Sequence, residues 1–487
     1  MAPAQEVVRF IPLLIVAVIA GGGGNRPFWV LATLAAVIGV GVLRWITTRY
    51  RLTAERIELT SGLLFRKHRS VPRDRVRTVD VMAKPLHRVF GLSVLRVGTG
   101  QHEPGNDGEL ALDAVSAAES ERLRAMLLDR STADPSTMGT LVAAGTAAPG
   151  AAGVPAVSTA EAAPAAEQEL ASLRWAWLRF APLTVLGVAS VGAVAGGVWQ
   201  LLAEAGVDIE DVGTVRSLLD WLTARPVGIA VLAVVGSLLF VGALGALALY
   251  VQAWWGYRLT RRPDGTLRVN RGLLTRRSVS LEERRLRGVH VSEPLLLRAG
   301  RGARLSAVAT GTRGGDRSSL LPPAPRSEAH RVGAAVLREP QPSTLWPLRR
   351  HPPAALRRRL IRSVLPAVVL TAGLAAADGL GTAPSWPWVL AAAVLLPVSV
   401  LLGVDRYRNL GHDLGERHLV VRGGSLVRQT VALRRSGVIG WRVSRSVFQR
   451  RAGLATATAV TAAGAGAYPV LDVDLESAAW LVDSNLS

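Results

Sequence analysis

The chain has 487 residues, enough for several domains at about one per 100–200 residues. Its hydrophobic content of 49% and mean hydropathy of +0.29 exceed what soluble domains need. A net charge of +21 leaves nucleic acid and anionic lipid open as partners, while the lack of cysteine excludes thiolate catalysis, disulfides and Cys-ligated zinc. Lys67 and Lys84 are the only lysines, so the basicity is almost wholly arginine.

In chain order the first feature is a pair of apolar stretches, Phe10 to Ala20 and residues 28–45, separated by GGGGNRP. A second pair falls at 175–202 and 227–250, and a third at 364–377 and 386–404. Most reach the roughly 17–25 residues that cross about 30 Å of hydrocarbon; the first and fifth are short and need flanking residues or a thinner bilayer. A cleaved signal peptide is not expected, because the first run is followed at once by another, which favours a hairpin anchor. The segments between pairs, 46–174 and 251–363, carry arginines beside the span ends, whereas the longest linker inside a pair holds five acidic and two basic residues. The positive-inside rule then predicts six spans, a plasma-membrane location and both termini in the cytoplasm. Tryptophans cluster at the span ends, among them Trp29, Trp45, Trp175, Trp254, Trp255, Trp386 and Trp388, as an interfacial belt does.

Residues 131–170 are rich in Ala, Pro, Gly, Ser and Thr with almost no large apolar side chains, so they read as a disordered linker. After each apolar pair comes a self-similar stretch. Tyr50, Tyr257 and Tyr407 sit just past a span, and Gly62, Gly272 and Gly424 mark a turn before an apolar-then-basic strand. Further on, Arg88, Arg298 and Arg450 precede Gly91, Gly300 and Gly453 and an alternating strand. Each unit closes with a helical stretch. In the first, Ser116 and Glu119 form a capping box, and Leu123, Met126 and Leu127 make one apolar stripe. In ERIELTSGLL, Ile57 and Leu59 point one way and Arg56 and Glu58 the other, with Ser61 and Gly62 turning the chain. Each unit therefore reads as a roll of short antiparallel strands plugged by one helix.

The Tyr-x-Leu start, the I-x-L-x-x-G-L-L hairpin, VPRDRV at 71–76 and R-x-F-G-L at 88–92 resemble the bacterial pleckstrin-homology-like (PH-like) domain of the second type. The chain resembles multi-copy membrane members of that family, in which a two-span hairpin precedes each domain. The likeness is strong in the first unit, moderate in the second and weaker in the third, where an insertion intervenes and Val431-Ala432 replaces Val-Pro. The resemblance implies an α+β membrane protein of six transmembrane helices in three hairpins, each followed by a PH-like β-roll with a C-terminal helix. It implies no common enzymatic activity. The expected organisation is hairpin 1 at 1–46, PH-like domain 1 at 47–130, the linker at 131–170 and hairpin 2 at 171–255. PH-like domain 2 follows at 256–340, a basic segment with hairpin 3 at 341–404, and PH-like domain 3 at 405–487.

The cluster Arg66, Lys67, His68, Arg69 follows the first hairpin turn close to a span, with Arg73 and Arg75 beyond it and Arg276 and Arg277 in the second repeat. Near anionic lipid a juxtamembrane cation gains about 1 kcal/mol, so Arg66, Lys67, Arg69, Arg73, Arg75, Arg276 and Arg277 are candidate contacts for anionic headgroups or a protein partner. Topology alone also demands arginines at such places. Nucleic acid is not expected, because single-strand platforms interleave aromatics with charge and aromatics total 5% here. The eight histidines show no H-E-x-x-H spacing, and GHDLGERH at 411–418 reads as a loop, so no metal ligands are assigned. No phosphate-binding glycine loop, dinucleotide fingerprint or nucleophile elbow occurs, so no cofactor and no catalytic residue is assigned. The expected function is the presentation of three cytoplasmic domains as binding or scaffolding modules without catalysis; the alternative is a transporter or a transport-accessory subunit.

Overall fold

The computed structural model describes parts of residues 49–123, residues 167–184, and residues 224–486 apart from 312–317 and 382–385, with a few isolated positions between 192 and 221. The first apolar pair, nearly all of the third apolar stretch beyond 184 and the linker through 166 lie outside the described residues. The chain is a mixed α/β protein. In chain order its elements are β1 (Arg49–Leu52), β2 (Arg56–Ser61), β3 (Lys67–Pro72), β4 (Thr78–Ala83), β5 (Leu92–Gly98), β6 (Glu109–Ser116) and β7 (Gln168–Ser172). Then follow α1 (Val227–Trp254), β8 (Arg258–Arg261), β9 (Thr266–Arg271), β10 (Arg276–Glu282), β11 (Leu286–Pro294), α2 (Leu295–Ala299), β12 (Gly302–Ala309), β13 (Ser319–Pro325) and α3 (Arg326–Leu337). The last third holds α4 (Pro353–Gly379), α5 (Trp386–Arg408), β14 (Gly411–Leu414), β15 (His418–Gly423), β16 (Val427–Arg434), β17 (Gly440–Ser444), α6 (Val447–Arg451), β18 (Leu454–Val460), β19 (Ala467–Asp474) and α7 (Leu475–Leu486).

Among the described residues, α1, α4 and α5 are long and apolar enough to cross a membrane. On α1 the side chains of Leu232, Leu239 and Phe240 stand exposed, while Gly242, Ala246, Tyr250 and Trp254 repeat at four and are buried. That spacing sets one narrow face of the helix against protein. Its lower end is fixed by the Tyr250 hydroxyl, which donates to the Pro323 carbonyl oxygen at 3.0 Å. Helices α4 and α5 pack along each other, and Gly403 permits the approach, because a Cβ there would lie 2.5 Å from Ser363 Oγ.

The chain divides into two compact units, Met1–Glu169 with Thr260–Glu283, and Leu170–Leu259 with Arg284–Ser487. In the first unit, β1, β2 and β3 form one antiparallel sheet, with Ile57 opposite Val71. A second sheet there runs β6-β5-β4-β10-β9, so that β10 of the second repeat pairs with β4 of the first and Asp80 lies opposite Val279. In the second unit one sheet runs β13-β12-β11-β16-β15-β14, and β16 of the third repeat pairs with β11 of the second, with His290 opposite Val431. Strands β17, β18 and β19 form the last sheet. The sheets therefore cross the boundaries that repetition marks in the sequence: the opening strands of one repeat extend the closing strands of the repeat before it. Both junctions keep one register, since Asp80 and His290 hold the same place before Arg88 and Arg298, and Val279 and Val431 the same place after Gly272 and Gly424.

The apolar side of this arrangement is ordinary core. Val289, Val291, Leu305 and Leu321 of the sheet and Val332 and Val336 of α3 are fully buried. Each such side chain contributes about 1.5–3 kcal/mol by leaving water. In the third repeat Leu419, Val421, Val431 and Leu433 pack with Ala455, Ala457, Val470, Val473 and Leu481. The glycine turns have a steric cause. Gly272 and Gly424 adopt φ of 109° and 101°, and a Cβ would fall 2.0 and 1.9 Å from the Thr275 and Val427 carbonyl oxygens. Gly62 lies outside the described residues.

Several local expectations are corrected. WAWLRF does not begin a span: Trp175–Phe180 is a 3-10 helix whose Trp177 and Phe180 are buried, Phe180 resting on Gly302. Residues 168–170, read as the end of the linker, start β7. GHDLGERH is not a loop throughout: Gly411–Leu414 is β14 and His418 opens β15, with 415–417 the turn that joins them in a hairpin. The Arg–Gly–strand order of the three repeats holds, and three residues after the arginine the backbone is left-handed in each, at Gly91 (φ 65°), Arg301 (58°) and Gly453 (67°). Where expectation and structure meet, the Glu119 amide donates to Ser116 Oγ at 3.2 Å, and Leu123 is buried. Met126 and Leu127 are outside the described residues.

Candidate functional site: ionic junctions and the base of the spans

Both sheet junctions are closed by an acid on the earlier strand and an arginine on the later one. In the first unit Asp80 on β4 receives Arg277 from β10, with Nε and Nη2 at 3.0 and 2.8 Å from Oδ2. The two side chains are 2% and 14% exposed, so the pair is enclosed. Arg88 adds a second clasp, donating from Nη1 to the Leu273 carbonyl oxygen in the glycine turn at 2.7 Å.

In the second unit Glu293 on β11 is gripped by the fork of Arg428 on β16, at 2.6 Å (Nε to Oε2) and 2.7 Å (Nη2 to Oε1). Arg326 approaches the same carboxylate at 3.2 Å. Burial pushes the Glu293 carboxyl up, but the hydrogen bond and charge of Arg428 and the charge of Arg326 hold it below the usual carboxylate range. Arg326 Nε also donates to His330 Nε2 at 3.2 Å. The other ring nitrogen therefore carries the proton, and His330 Nδ1 donates to Thr344 Oγ1 at 2.7 Å. Burial, and then the charge of Arg326, push His330 down to about 4. Arg298 repeats the clasp of Arg88, reaching Asp405 Oδ1 at 3.0 Å while Asp405 Oδ2 accepts from Ser425 in the next turn.

A third polar cluster sits at the base of α4. Asp472 at the end of β19 is 1% exposed and adopts φ 59°. Its carboxylate accepts from Arg358, from Arg359 Nη2 at 2.9 Å and from Gln449 Nε2 at 3.0 Å. Its carbonyl oxygen accepts from His351 Nδ1 at 3.2 Å, and His351 Nε2 in turn accepts from His412 Nδ1 at 3.2 Å. Burial, then the neighbouring His351 and Arg349, push His412 down to about 4, so both rings are neutral at pH 7. Tyr407 at the end of α5 donates to the His351 carbonyl oxygen at 2.8 Å. The cluster thereby ties two apolar helices to one sheet.

Of the residues expected at a contact surface, Arg276 stands exposed on β10 and Arg277 is spent on Asp80. Lys67 and Arg69 lie on β3; Arg66, Arg73 and Arg75 lie outside the described residues. The residues that sequence reasoning passed over are the acids Asp80, Glu293 and Asp472. Their signal was faint but present: Asp80 and Asp472 each stand between apolar neighbours in TVDVMA and AYPVLDVD, and Glu293 stands near the end of the more mixed strand LRGVHVSEP. A buried acid in a strand requires a partner. Among the described residues no group of three His, Asp or Glu is placed to hold a metal ion.

A chain of three like repeats, apolar helices joined directly to them and sheets built from both defines a class: a membrane-associated array of small β domains. Comparison with known families matches the chain to the bacterial PH domain at residues 7–131, 181–340 and 364–482. The chain belongs to that family, in three copies. Among curated proteins it is similar to the UPF0699 transmembrane protein YdbT of Bacillus subtilis (strain 168), 22% identical over 438 residues covering 86% of this chain and 80% of that protein. No solved structure matches the chain.

Proposed function

We propose that this chain is a plasma-membrane protein of three two-span hairpins whose three PH-like domains stand on the cytoplasmic side, with both termini inside, and act as binding or scaffolding modules. Their contacts are anionic lipid headgroups and a protein partner, and no reaction is part of the role. The observation that carries the reading is the shortness of the joins. Trp255, Gly256 and Tyr257 are all that separate α1 from β8, and Asn409 and Leu410 all that separate α5 from β14. Tyr257 is itself buried, its hydroxyl donating to the Leu320 carbonyl oxygen at 2.5 Å. A domain held this closely to a span stays within the range of headgroup charge, which is on the order of a Debye length, about 8–10 Å.

The lipid half of the proposal is tested on the full chain purified in mild detergent. It is expected to co-purify with phosphatidylglycerol or another anionic phospholipid. Reversing Arg66, Lys67, Arg69 and Arg276 to glutamate should remove most of it, at about 1 kcal/mol per cation. Lipid analysis that finds equal retention in the reversed protein would overturn the assignment of these residues.

A further inference from the structure

Two junctions share one design, and the chain carries part of a third. In each formed junction the strand that opens the second half of a repeat, β4 or β11, pairs with the strand after the glycine turn of the next repeat, β10 or β16. Strand β17 opens the second half of the third repeat, and among the described strands it pairs with β18 alone. Arg442, Val443 and Ser444 of β17 are exposed, and Ile439, Val447 and Phe448 beside them are 71%, 52% and 72% exposed. A free strand edge flanked by exposed apolar side chains is a template for one more strand.

The matched positions state which kind of strand fits. Arg442 stands where the first repeat has Asp80 and the second His290; Arg445 stands where the second has Glu293. In the formed junctions an acid on the first strand meets an arginine on the incoming one. At β17 the sign is inverted: the first strand is basic, so the incoming strand must be acidic. The clasping arginines agree, since Arg88 and Arg298 both reach toward the glycine turn of the next repeat whereas their counterpart Arg450 is exposed. In the second junction the Leu295 amide donates to the Leu426 carbonyl oxygen of that turn at 2.7 Å, and Val447 holds the same place after β17. Strand β3 of a second copy is the wrong occupant. The shared register would set Arg442 opposite Arg69 and beside Lys67, and Arg445 opposite Arg66, like charge against like.

We propose that the free edge of β17, with Arg442, Arg445 and Arg450, is the docking site for an acidic β-hairpin of a partner protein, one with a glycine turn followed by a strand carrying carboxylates at its first positions. This deepens the scaffolding reading by naming a surface and the partner's chemistry, and it rests on that reading only for its biological setting. Its test is run in detergent, independent of topology and lipid.

The probe is a synthetic peptide of residues 56–72 with Arg66→Glu, Lys67→Glu, Arg69→Val and His68→Cys, offered to the full-length chain carrying Val443→Cys, its one cysteine. The shared register places position 68 opposite position 443. Under mild oxidation the acidic peptide is expected to form a disulfide with the protein about tenfold more than the peptide bearing only His68→Cys. Moving the cysteine from position 68 to position 69 should abolish the product. Fluorescence anisotropy of labelled peptides without cysteine should give the same order of binding. Equal yields from the acidic and basic peptides would overturn the proposal, as would no product from either or self-association of the unmodified chain through β3.

Discussion

Alanine in place of Glu293 is expected to destabilise the protein by about 3–5 kcal/mol, because removal of one member of a buried ionic cluster leaves the others enclosed and uncompensated. Glu293 is 1% exposed, and Arg428, its bidentate partner, is 16% exposed. Arg326, at 38%, can turn to water and adds less. The loss falls on the pairing of β11 with β16, in the sheet that carries strands of both the second and the third repeat. Thermal unfolding of the detergent-solubilised protein should show Glu293→Ala melting well below the parent. The double variant Glu293→Leu with Arg428→Met should recover most of the difference, since apolar replacement of both partners is often neutral. A double variant no better than the single would show that the position depends on shape rather than on charge.

Asp472→Ala is expected to cost a comparable amount, about 3–5 kcal/mol, for two additive reasons. The carboxylate is the common acceptor for Arg358, Arg359 and Gln449, so its loss strands two guanidiniums and an amide. The backbone at φ 59° also disfavours alanine, whereas Asp and Asn tolerate that region. Asp472→Asn keeps the backbone preference and loses the charge, so it should fall between parent and alanine. Hydrogen exchange should place the damage at β19 and the first turns of α4. Damage confined to α7 would contradict the view that Asp472 couples span and sheet.

What was legible in the sequence was local. The glycine turns at Gly272 and Gly424 announce themselves because φ above 100° excludes other residues, and the closing helices α3 and α7 fall on the helical stretches read at the end of each repeat. The tyrosines at the ends of the apolar helices mark the joins, since the hydroxyls of Tyr257, just past α1, and Tyr407, in the last turn of α5, both donate to backbone carbonyl oxygens. The sheet exchange was not legible. Nothing in TVDVMA tells β4 to pair with β10 rather than with β3, because the information lies in Asp80 and Arg277, 197 residues apart. Sequence repetition delimits units of descent, while hydrogen bonding follows edges, and here the two disagree. WAWLRF misled for a different reason: a buried 3-10 helix and the start of a span are equally apolar, and what separates them is the close seat of Phe180 on Gly302. Arg277 looked like a surface cation because its acid partner comes from another repeat.

The claim on which the account turns is that the apolar helices cross the bilayer in pairs and leave every PH-like domain on the inner side. Since the chain has no cysteine, single cysteines at Leu380 in the turn between α4 and α5, at Arg276 on β10 and at Arg442 on β17 report on it directly with a membrane-impermeant maleimide. In intact cells the account predicts labelling of Leu380→Cys alone, with Arg276→Cys and Arg442→Cys reacting after permeabilisation. Labelling of either domain position from outside, or protection of Leu380→Cys there, would contradict it.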